Sequence, residues 1–574
     1  MFQCNAENRD SRFVPSERKL TSGAYLITRR DVESMNARSS MTHNARTMQT
    51  QRIKWKDINW TIAESYVNRL QVRIVKAVQK EKWRLVKRLQ KLITNSFYAK
   101  AIAVKRVTTN KGKHTPGIDK VVWATDEDKS KAIEKLDTLK YHAQPLRRVY
   151  IEKYGKKEKR PLGIPTMQDR AMQGLMLLAL EPVAETTADR VSFGFRKKRS
   201  AQDAMEYIFK LLARKTSPQW ILEGDIKGCF DHISHEWMLE NIPTDKRVMR
   251  QFLKCGYIDR RMLFPTEEGS PQGGLISPTY ANLTLDGIEE LLLKKYSTSG
   301  TGYIHPNYNK KKVHLCRYAD DFIVTAKNKE TLLEIQQMIE KFMEERGLKL
   351  SDEKTVITNI NDGFDFLGWN FRKFKGKLLI QPSRKSKQKV TKSLSRTVKY
   401  YHEASQELLI IKLNQITRGW AEYHHCACAK KTYALIDHRL WEMLWKWAKR
   451  RHPRKGKKWI KNRYWHPKGN REWLFRTDKV ILYQMMDMPI VRIRSLDLKK
   501  SPFLDSKYFE HRRKQHKKDK ETAYLSSAAA FSGYYALSMR ERNAVKAARS
   551  VLRGGMGSNA YSLPDFLHQN IVDR

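Results

Sequence analysis

Two adjacent acids, Asp320 and Asp321, stand between two short apolar runs at 314–316 and 322–325. Apolar runs of this length around a polar pair predict a strand, a tight turn and a second strand, with both acids at the turn. Carboxylates held there can bind Mg²⁺, an ion that takes oxygen ligands and often shares them with substrate phosphates. The plainer interpretation is a solvated acidic turn, so the chemistry depends on what the rest of the chain supplies.

A third acid, Asp225, follows the apolar run 220–224 and precedes a predicted turn. Asp225 and Asp320 together could hold two Mg²⁺ ions about 3.5–4 Å apart, the spacing that suits in-line phosphoryl displacement. One ion would activate a primer 3′-OH, and the other would neutralise the triphosphate and the leaving pyrophosphate. The alternative for Asp225 alone is an acid that caps the turn after its strand.

Two further segments contain residue types that suit a nucleotide. In the loop 268–278, Gln272 is followed by the pair Gly273 and Gly274, which lets the backbone approach a base or sugar closely. The helix predicted after this loop places its N-terminus where an anionic ligand is favoured. Upstream, the basic segment 147–165 reads as a strand, a hairpin and a Pro/Gly turn. Three cations in this segment could clamp a triphosphate: Arg148, Lys159 and Arg160. The alternative is that the segment is an ordinary solvated basic loop.

Two later segments each allow two interpretations. Lys354 follows a strand-like run and could protonate the departing pyrophosphate, or it could be an ordinary surface lysine. The aromatic segment 364–369 is predicted to form a hairpin. Its rings could hold the end of a primer or pack in the core, and the two roles are compatible.

The composition favours a nucleic-acid partner. The chain has 112 Lys and Arg against 61 acids, a net charge of +51, and 14 Trp and 24 Tyr interleaved with the basic residues. A membrane partner is not expected, because no apolar window of about 18 residues occurs. The six cysteines form no disulfide-like pattern.

Changes in periodicity divide the chain into five predicted segments. Residues 384–452 are all helical by pattern, with apolar stripes such as Leu409, Leu413 and Ile416. The predicted segments are a flexible leader (1–54), a region (55–380) that is helical from Trp60 to about Thr94 and α/β or α+β from 95 onward, a helical domain (381–452), a short basic domain (453–507) and a basic tail (508–574).

The motifs occur in an order that resembles the group II intron-encoded proteins, which combine a reverse transcriptase with an RNA-splicing maturase. The resemblance covers about residues 55–505 and is carried by the motifs at 115–119, 160–165, 225, 270–274, 318–321 and 366–369. It implies an α+β right-hand polymerase, with fingers and an antiparallel palm sheet over 55–380. It further implies a helical thumb, the maturase domain, at 381–452 and a small basic DNA-binding domain at 453–507.

The resemblance also assigns expected roles. Asp225, Asp320 and Asp321 match the family's metal-binding aspartates, and Gln272 and Gly273 match its loop at the nascent base pair. Phe230 matches the aromatic residue that screens the sugar 2′ position, where a ring would clash with a ribose 2′-OH and select dNTPs.

The implied activity is RNA-directed DNA synthesis with Mg²⁺, by a protein that binds its group II intron RNA and assists splicing. Copying of the intron into target DNA by target-primed reverse transcription, called retrohoming, would follow. A ribonucleoprotein in the bacterial cytoplasm, acting on nucleoid DNA, is expected, with an organelle and a homodimer left open. The alternative is a splicing factor whose polymerase activity is dispensable in the cell.

The chain departs from many relatives after residue 500. Residues 501–509 resemble the entry to an HNH-type endonuclease, but no cysteine follows Cys428 and the later histidines lack metal-site spacing. We therefore expect a degenerate or absent endonuclease in 508–574 and no DNA cleavage by this chain.

Overall fold

The computed structural model describes residues 54–152, 159–468 and 471–540, without the side chains of 526–540. The chain divides into two compact units, 1–58 and 59–574, and the described part of the first contains one 3-10 turn, Trp55–Asp57. The predicted leader, apart from residue 54, and the tail beyond 540 lie outside the described residues. Among the described helices, none combines the length and apolar character needed to cross a bilayer.

Four helices open the second unit. Asn59 begins the first, because its side chain accepts a hydrogen bond from the Ile62 N–H at 3.1 Å. The helical region predicted from Trp60 to about Thr94 is present as two helices, with an interruption near Glu81, whose φ is +54°. The four helices are α1 (Trp60–Val78), α2 (Trp83–Asn95), α3 (Phe97–Thr109) and α4 (Asp126–Lys135).

A mixed sheet and a buried helix follow. Strand β1 is antiparallel to β2 and parallel to β4, in the sheet order β2-β1-β4-β5. Helix α5 is largely buried, and α1, α2 and α3 pack on it. These elements are β1 (Leu146–Glu152), β2 (Lys159–Ile164), α5 (Met167–Thr187), α6 (Ala201–Leu212), β3 (Trp220–Gly224), α7 (Cys229–His232), α8 (His235–Asn241), α9 (Lys246–Lys254), β4 (Tyr257–Asp259) and β5 (Met262–Phe264).

The central sheet is antiparallel throughout, in the order β6-β7-β3-β8. Gly224 faces the ring of Phe322 on the paired strand so closely that a Cβ on Gly224 would lie 2.1 Å from it. This sheet confirms the expected α+β fold with an antiparallel palm. Its further elements are α10 (Ser277–Leu285), α11 (Ile288–Tyr296), β6 (His314–Tyr318), β7 (Asp321–Ala326), α12 (Lys329–Glu344) and β8 (Val356–Asn359).

The aromatic segment forms part of a three-stranded sheet in the order β11-β10-β9. Phe364, Phe366 and Trp369 are all buried in one hydrophobic cluster with residues of the central sheet. Burial confirms the core-packing interpretation of these rings. The strands are β9 (Phe364–Phe366), β10 (Trp369–Phe374) and β11 (Lys377–Pro382).

The helical domain and the basic segment after it share one core. A single cluster contains Leu394, Leu413 and Leu440 together with Trp465 and Phe475. The predicted boundary at 452/453 runs through this cluster, and the division into thumb and DNA-binding domain stays a prediction. The elements are α13 (Arg384–Tyr400), α14 (Gln406–His424), α15 (Lys430–Arg451), α16 (Lys457–Tyr464), β12 (Trp465–Lys468) and β13 (Arg471–Phe475).

The segment predicted as a polar tail begins with one long helix, α17 (Ser506–Arg540). Two of its side chains form ion pairs with residues far earlier in the chain: Arg512 with Asp203 at the start of α6, and Lys520 with Glu422 in α14. These two ion pairs connect the helix to α6 and to α14.

Candidate active site

The two adjacent acids lie at a two-residue hairpin loop. Tyr318 pairs with Asp321, which leaves Ala319 and Asp320 as the loop between β6 and β7. Ala319 has a φ of +59°, a backbone conformation that such tight loops require and that favours Gly, Asn or Asp. The hairpin predicted from the sequence is therefore present, and both acids stand at the end of the central sheet.

A buried arginine supports this loop from behind. Arg317 is fully buried, and its guanidinium pairs with Asp286 and donates to Asn282 Oδ1 at 3.1 Å and to the Ala319 carbonyl at 3.4 Å. Burial raises the pKa of Asp286, while the positive charge of Arg317 opposes that shift. The loop is thus hydrogen-bonded to a polar group inside the protein.

A neighbouring segment also presses on the loop. The Phe193 N–H donates to the Arg317 carbonyl at 2.8 Å, and the Gly194 carbonyl accepts from the Asn282 side chain at 2.9 Å. A Cβ on Gly194 would lie 2.3 Å from the Ala319 nitrogen, so only glycine fits. Sequence reasoning missed Arg317, Asn282 and Gly194; the one available signal was the glycine between Phe193 and Phe195.

Asp225 reaches the same place from the adjacent strand. The last pair between β3 and β7 joins Gly224 to Phe322, so Asp225 and Asp321 follow in neighbouring positions. The ammonium group of Lys354 lies 2.5 Å from Asp225 Oδ2. The Asp225 carbonyl accepts from the Ser351 N–H at 2.8 Å, which positions the loop that bears Lys354. The structure therefore brings these predicted residues together.

The three carboxylates share one electrostatic environment. Burial, followed by the charges of Asp320 and Asp225, raises the pKa of Asp321 to about 6. Burial and Asp225 also raise the pKa of Asp320, and Arg160 and Lys354 oppose that shift. The site therefore carries closely spaced negative charge that a cation would relieve.

Carboxylates are the hard oxygen donors that Mg²⁺ prefers, so the residues present fit this ion. Among the residues that the structure describes, no group of three or more His, Cys, Asp or Glu side chains is placed so that it could hold a metal ion. In this arrangement Asp225 is paired with Lys354.

The predicted triphosphate cations do not share one face of their hairpin. Arg148 is paired with Gly163, and Lys159 with Glu152, in the β1–β2 register. Because side chains alternate along a strand, Arg148 and Lys159 lie on one face and Arg160 on the other. Arg148 stacks over the Tyr257 ring at 3.6 Å. Of these three cations, Arg160 is the one whose charge contributes to lowering the pKa of Asp320.

The glycine loop is joined to the segment that bears Phe230. The Ser270 N–H donates to the Phe230 carbonyl at 2.7 Å, and Phe230 is half-buried in the short helix α7. Gly273 has a φ of +113°, and a Cβ there would lie 2.8 Å from the Gly163 carbonyl oxygen. A glycine is therefore required where this loop meets β2.

Three family descriptions match consecutive parts of the chain. "N-terminal domain of reverse transcriptase" matches residues 55–136, and "Reverse transcriptase (RNA-dependent DNA polymerase)" matches residues 151–371. "Group II intron, maturase-specific domain" matches residues 387–465. The order of these matches agrees with the order of the motifs.

Two curated bacterial proteins are similar to this chain. The group II intron-encoded protein LtrA of Lactococcus lactis subsp. cremoris is 32% identical over 328 residues, which are 47% of this chain and 54% of LtrA. The chain thus spans about half the length of LtrA. Protein YkfC of Escherichia coli K12 is 33% identical over 315 residues, covering 49% of this chain and 82% of YkfC.

Among solved structures, a telomerase from Candida albicans superposes with a TM-score of 0.31 at 12% identity, over 56% of this chain and 64% of that one. Similarity at this level supports no inference. The family assignment depends instead on the ordered family matches and on the two bacterial relatives. The chain belongs to the group II intron-encoded proteins and carries a reverse transcriptase domain followed by a maturase-specific domain.

Proposed function

We propose that this chain is an RNA-directed DNA polymerase that uses Mg²⁺ and dNTPs and also assists the splicing of a group II intron RNA. The observation that carries the polymerase proposal is the meeting of Asp225, Asp320 and Asp321 at the ends of adjacent strands, in one electrostatic environment. Two hydrogen bonds that join the Gln272 loop to the segment of Phe230 support the proposed nucleotide pocket: Ser270 N–H to the Phe230 carbonyl, and the Gln272 side chain to Asp231.

In this proposal the three aspartates hold the metal ions. When bound, Mg²⁺ activates the primer hydroxyl and neutralises charge on the triphosphate. Lys354, which is paired with Asp225, would hold this carboxylate before catalysis and would donate a proton to the leaving pyrophosphate. Arg160, which affects the pKa of Asp320, is the cation best placed to meet the triphosphate. Arg148 and Lys159 remain weaker candidates, because they lie on the opposite face of the hairpin.

The proposed nucleotide pocket uses one aromatic ring and one loop. Phe230 would exclude a ribose 2′-OH by contact, and Gln272 and Gly273 would line the nascent base pair. The Gln272 carbonyl accepts a hydrogen bond from the Gly163 N–H at 2.8 Å, which supports close approach of this loop to β2.

Primer extension on an RNA template with dNTPs and Mg²⁺ tests the polymerase. Asp320→Asn should reduce the rate roughly 10³-fold, since removing a metal ligand sacrifices several kcal/mol of transition-state stabilisation. Asp362→Asn, in an exposed turn between β8 and β9, is the matched control and should extend primers normally. Full synthesis by Asp320→Asn would refute the metal assignment.

Splicing is the second activity, and an exposed basic helix face in the maturase-specific region favours it. Helix α13 buries Val390, Leu394 and Val398 and exposes a row of cations. These exposed residues are Arg384, Lys385, Lys389, Lys392, Arg396 and Lys399. Such a face suits the phosphates of folded RNA. Equal splicing rates of purified intron RNA with and without the protein would remove this part of the proposal.

The remaining parts of the proposal concern the wider cycle. A retrohoming assay tests copying of the intron into target DNA. Localisation in cells tests a ribonucleoprotein in the bacterial cytoplasm at the nucleoid, and light scattering tests a homodimer. The absence of DNA endonuclease activity also stays a prediction. A strand-cleavage assay on duplex target DNA tests it, and second-strand nicking would contradict it.

A further inference from the structure

Gln272 is fixed at its backbone and at its side chain by two different segments. Its carbonyl accepts from the Gly163 N–H of β2 at 2.8 Å. Its side-chain nitrogen Nε2 donates to the Asp231 carboxylate, at 2.9 Å to Oδ1 and 3.1 Å to Oδ2. Asp231 is therefore the residue that fixes the rotation of the Gln272 carboxamide.

The direction of this hydrogen bond determines which amide atom is left for a ligand. An ionised carboxylate can only accept, so it selects the NH₂ end of the amide. The carbonyl oxygen Oε1 then points away from Asp231. Within the described part of the chain, Oε1 has no hydrogen-bond partner.

Asp231 is placed next to the proposed sugar screen and near the acids. It follows Phe230 directly in the short helix α7. The Phe230 carbonyl accepts a hydrogen bond from the Ser270 N–H. The pKa of the buried Cys229 thiol is raised first by burial and then by Asp320, with smaller contributions from Asp231 and Asp225. Asp231 thus stands at the edge of the nucleotide site.

We propose that Asp231 is a positioning residue that orients the Gln272 carboxamide so that Oε1 accepts a hydrogen bond from a donor group of the incoming nucleotide. The role rests on the proposed polymerase function and adds a residue to it. Asp231 itself does not touch the nucleotide; its effect passes through Gln272. If Asp231 instead only faced the triphosphate, its negative charge would weaken dNTP binding by repulsion. Removing the Asp231 carboxylate should therefore weaken dNTP binding if Asp231 positions Gln272, and strengthen it if Asp231 only repels the triphosphate.

Single-nucleotide insertion on an RNA template separates these roles. Asp231→Ala should raise the KM for the dNTP roughly three- to ten-fold, the effect of one lost hydrogen bond, with little change in kcat. Asp231→Asn keeps an acceptor oxygen for Nε2 and should stay within roughly two-fold of the wild-type KM. In a Gln272→Ala background, Asp231→Ala should cause no further change, because the two substitutions remove the same interaction.

Glu268→Ala is the matched control. Glu268 is exposed and joins the same loop to the same segment through His232 Nδ1 at 2.8 Å, without contacting Gln272. The KM of the Glu268→Ala variant for the dNTP should equal that of the wild type. Both side chains of the tested pair are accessible, so thermal melting should be unchanged in all variants.

Three results would overturn the positioning role. These are an unchanged or lower KM in Asp231→Ala, an equal rise in Glu268→Ala, and an additive effect of Asp231→Ala in the Gln272→Ala background. The wild-type chain is measured in the same series. If it makes no DNA, the polymerase proposal itself fails; normal wild-type synthesis with any of the three results removes only the role of Asp231.

Discussion

At the scale of single residues, Asp321 has an environment that favours its protonated form. Burial and two neighbouring carboxylates raise the pKa of Asp321 to about 6, with Lys354 opposing the shift. A protonated carboxyl group is a poor ligand for a hard cation. Metal binding at this site must therefore compete with proton binding in the mildly acidic range.

We expect the Mg²⁺ concentration at half-maximal primer extension to increase as the pH falls through about 6. The sign follows from the raised pKa: above it Asp321 is ionised and can ligate, and below it a proton must leave first. Lys354→Met should move this dependence to higher pH, because the variant loses a charge that stabilises the carboxylates. A Mg²⁺ requirement that is constant between pH 5.5 and 7.5 would contradict the role of Asp321.

At the scale of elements, the loop between β6 and β7 depends on the segment that packs against it. Gly194→Ala would bring a methyl group to 2.3 Å from the Ala319 nitrogen. Overpacking of this kind costs about 1–3 kcal/mol, and here it would displace the loop that carries Asp320. We expect primer extension to fall at least roughly ten-fold, with a lower melting temperature.

Gly300→Ala is the control for this prediction, because a Cβ at Gly300 meets nothing within 4 Å. It should leave both extension rate and melting temperature unchanged. Wild-type extension by Gly194→Ala would show that the position of the loop does not depend on Gly194.

The sequence predicted correctly those helices and strands in which buried apolar residues recur at a regular spacing. Leu409 and Leu413 are both fully buried on α14, as their helical spacing indicates, and the hairpin around Asp320 is present. Arg317 could not be predicted in this way. A charged residue in a strand suggests a solvent-facing side chain, whereas its burial is decided by Asn282 and Asp286, 35 and 31 residues earlier.

Segment boundaries were harder to predict for the same reason. The basic run after residue 446 suggests a separate solvated domain, yet Trp465 and Phe475 are buried in the core of the helices before it. Likewise, α17 has little apolar periodicity, and its contacts include ion pairs to Asp203 and Glu422 and packing of Tyr524 against the core of the helical domain. Partners distant in sequence decide both cases.

At the scale of the whole molecule, the chain has a net charge of +51, and RNA binding and DNA synthesis are expected to use oppositely charged parts of it. The proposed metal-binding carboxylates form a small acidic centre, while exposed cations line one face of α13. A polyanion would be attracted to the molecule as a whole, and the acidic centre would then admit it only where metal ions neutralise the carboxylates. RNA binding and DNA synthesis should accordingly respond to different ions.

We expect RNA affinity to fall at least roughly 10³-fold between 50 and 200 mM salt, because each neutralised phosphate releases a counterion. Lys385→Gln and Lys389→Gln on α13 should each reduce the slope of log affinity against log salt by roughly one. Lys294→Gln, whose ammonium is paired with Glu290 at 2.7 Å on α11, is the matched control and should leave the slope unchanged. Filter binding with intron RNA measures all four proteins. Since phosphate contacts are the only source of this slope, a flat response would mean that the basic surface is not the binding device and that recognition depends on uncharged contacts.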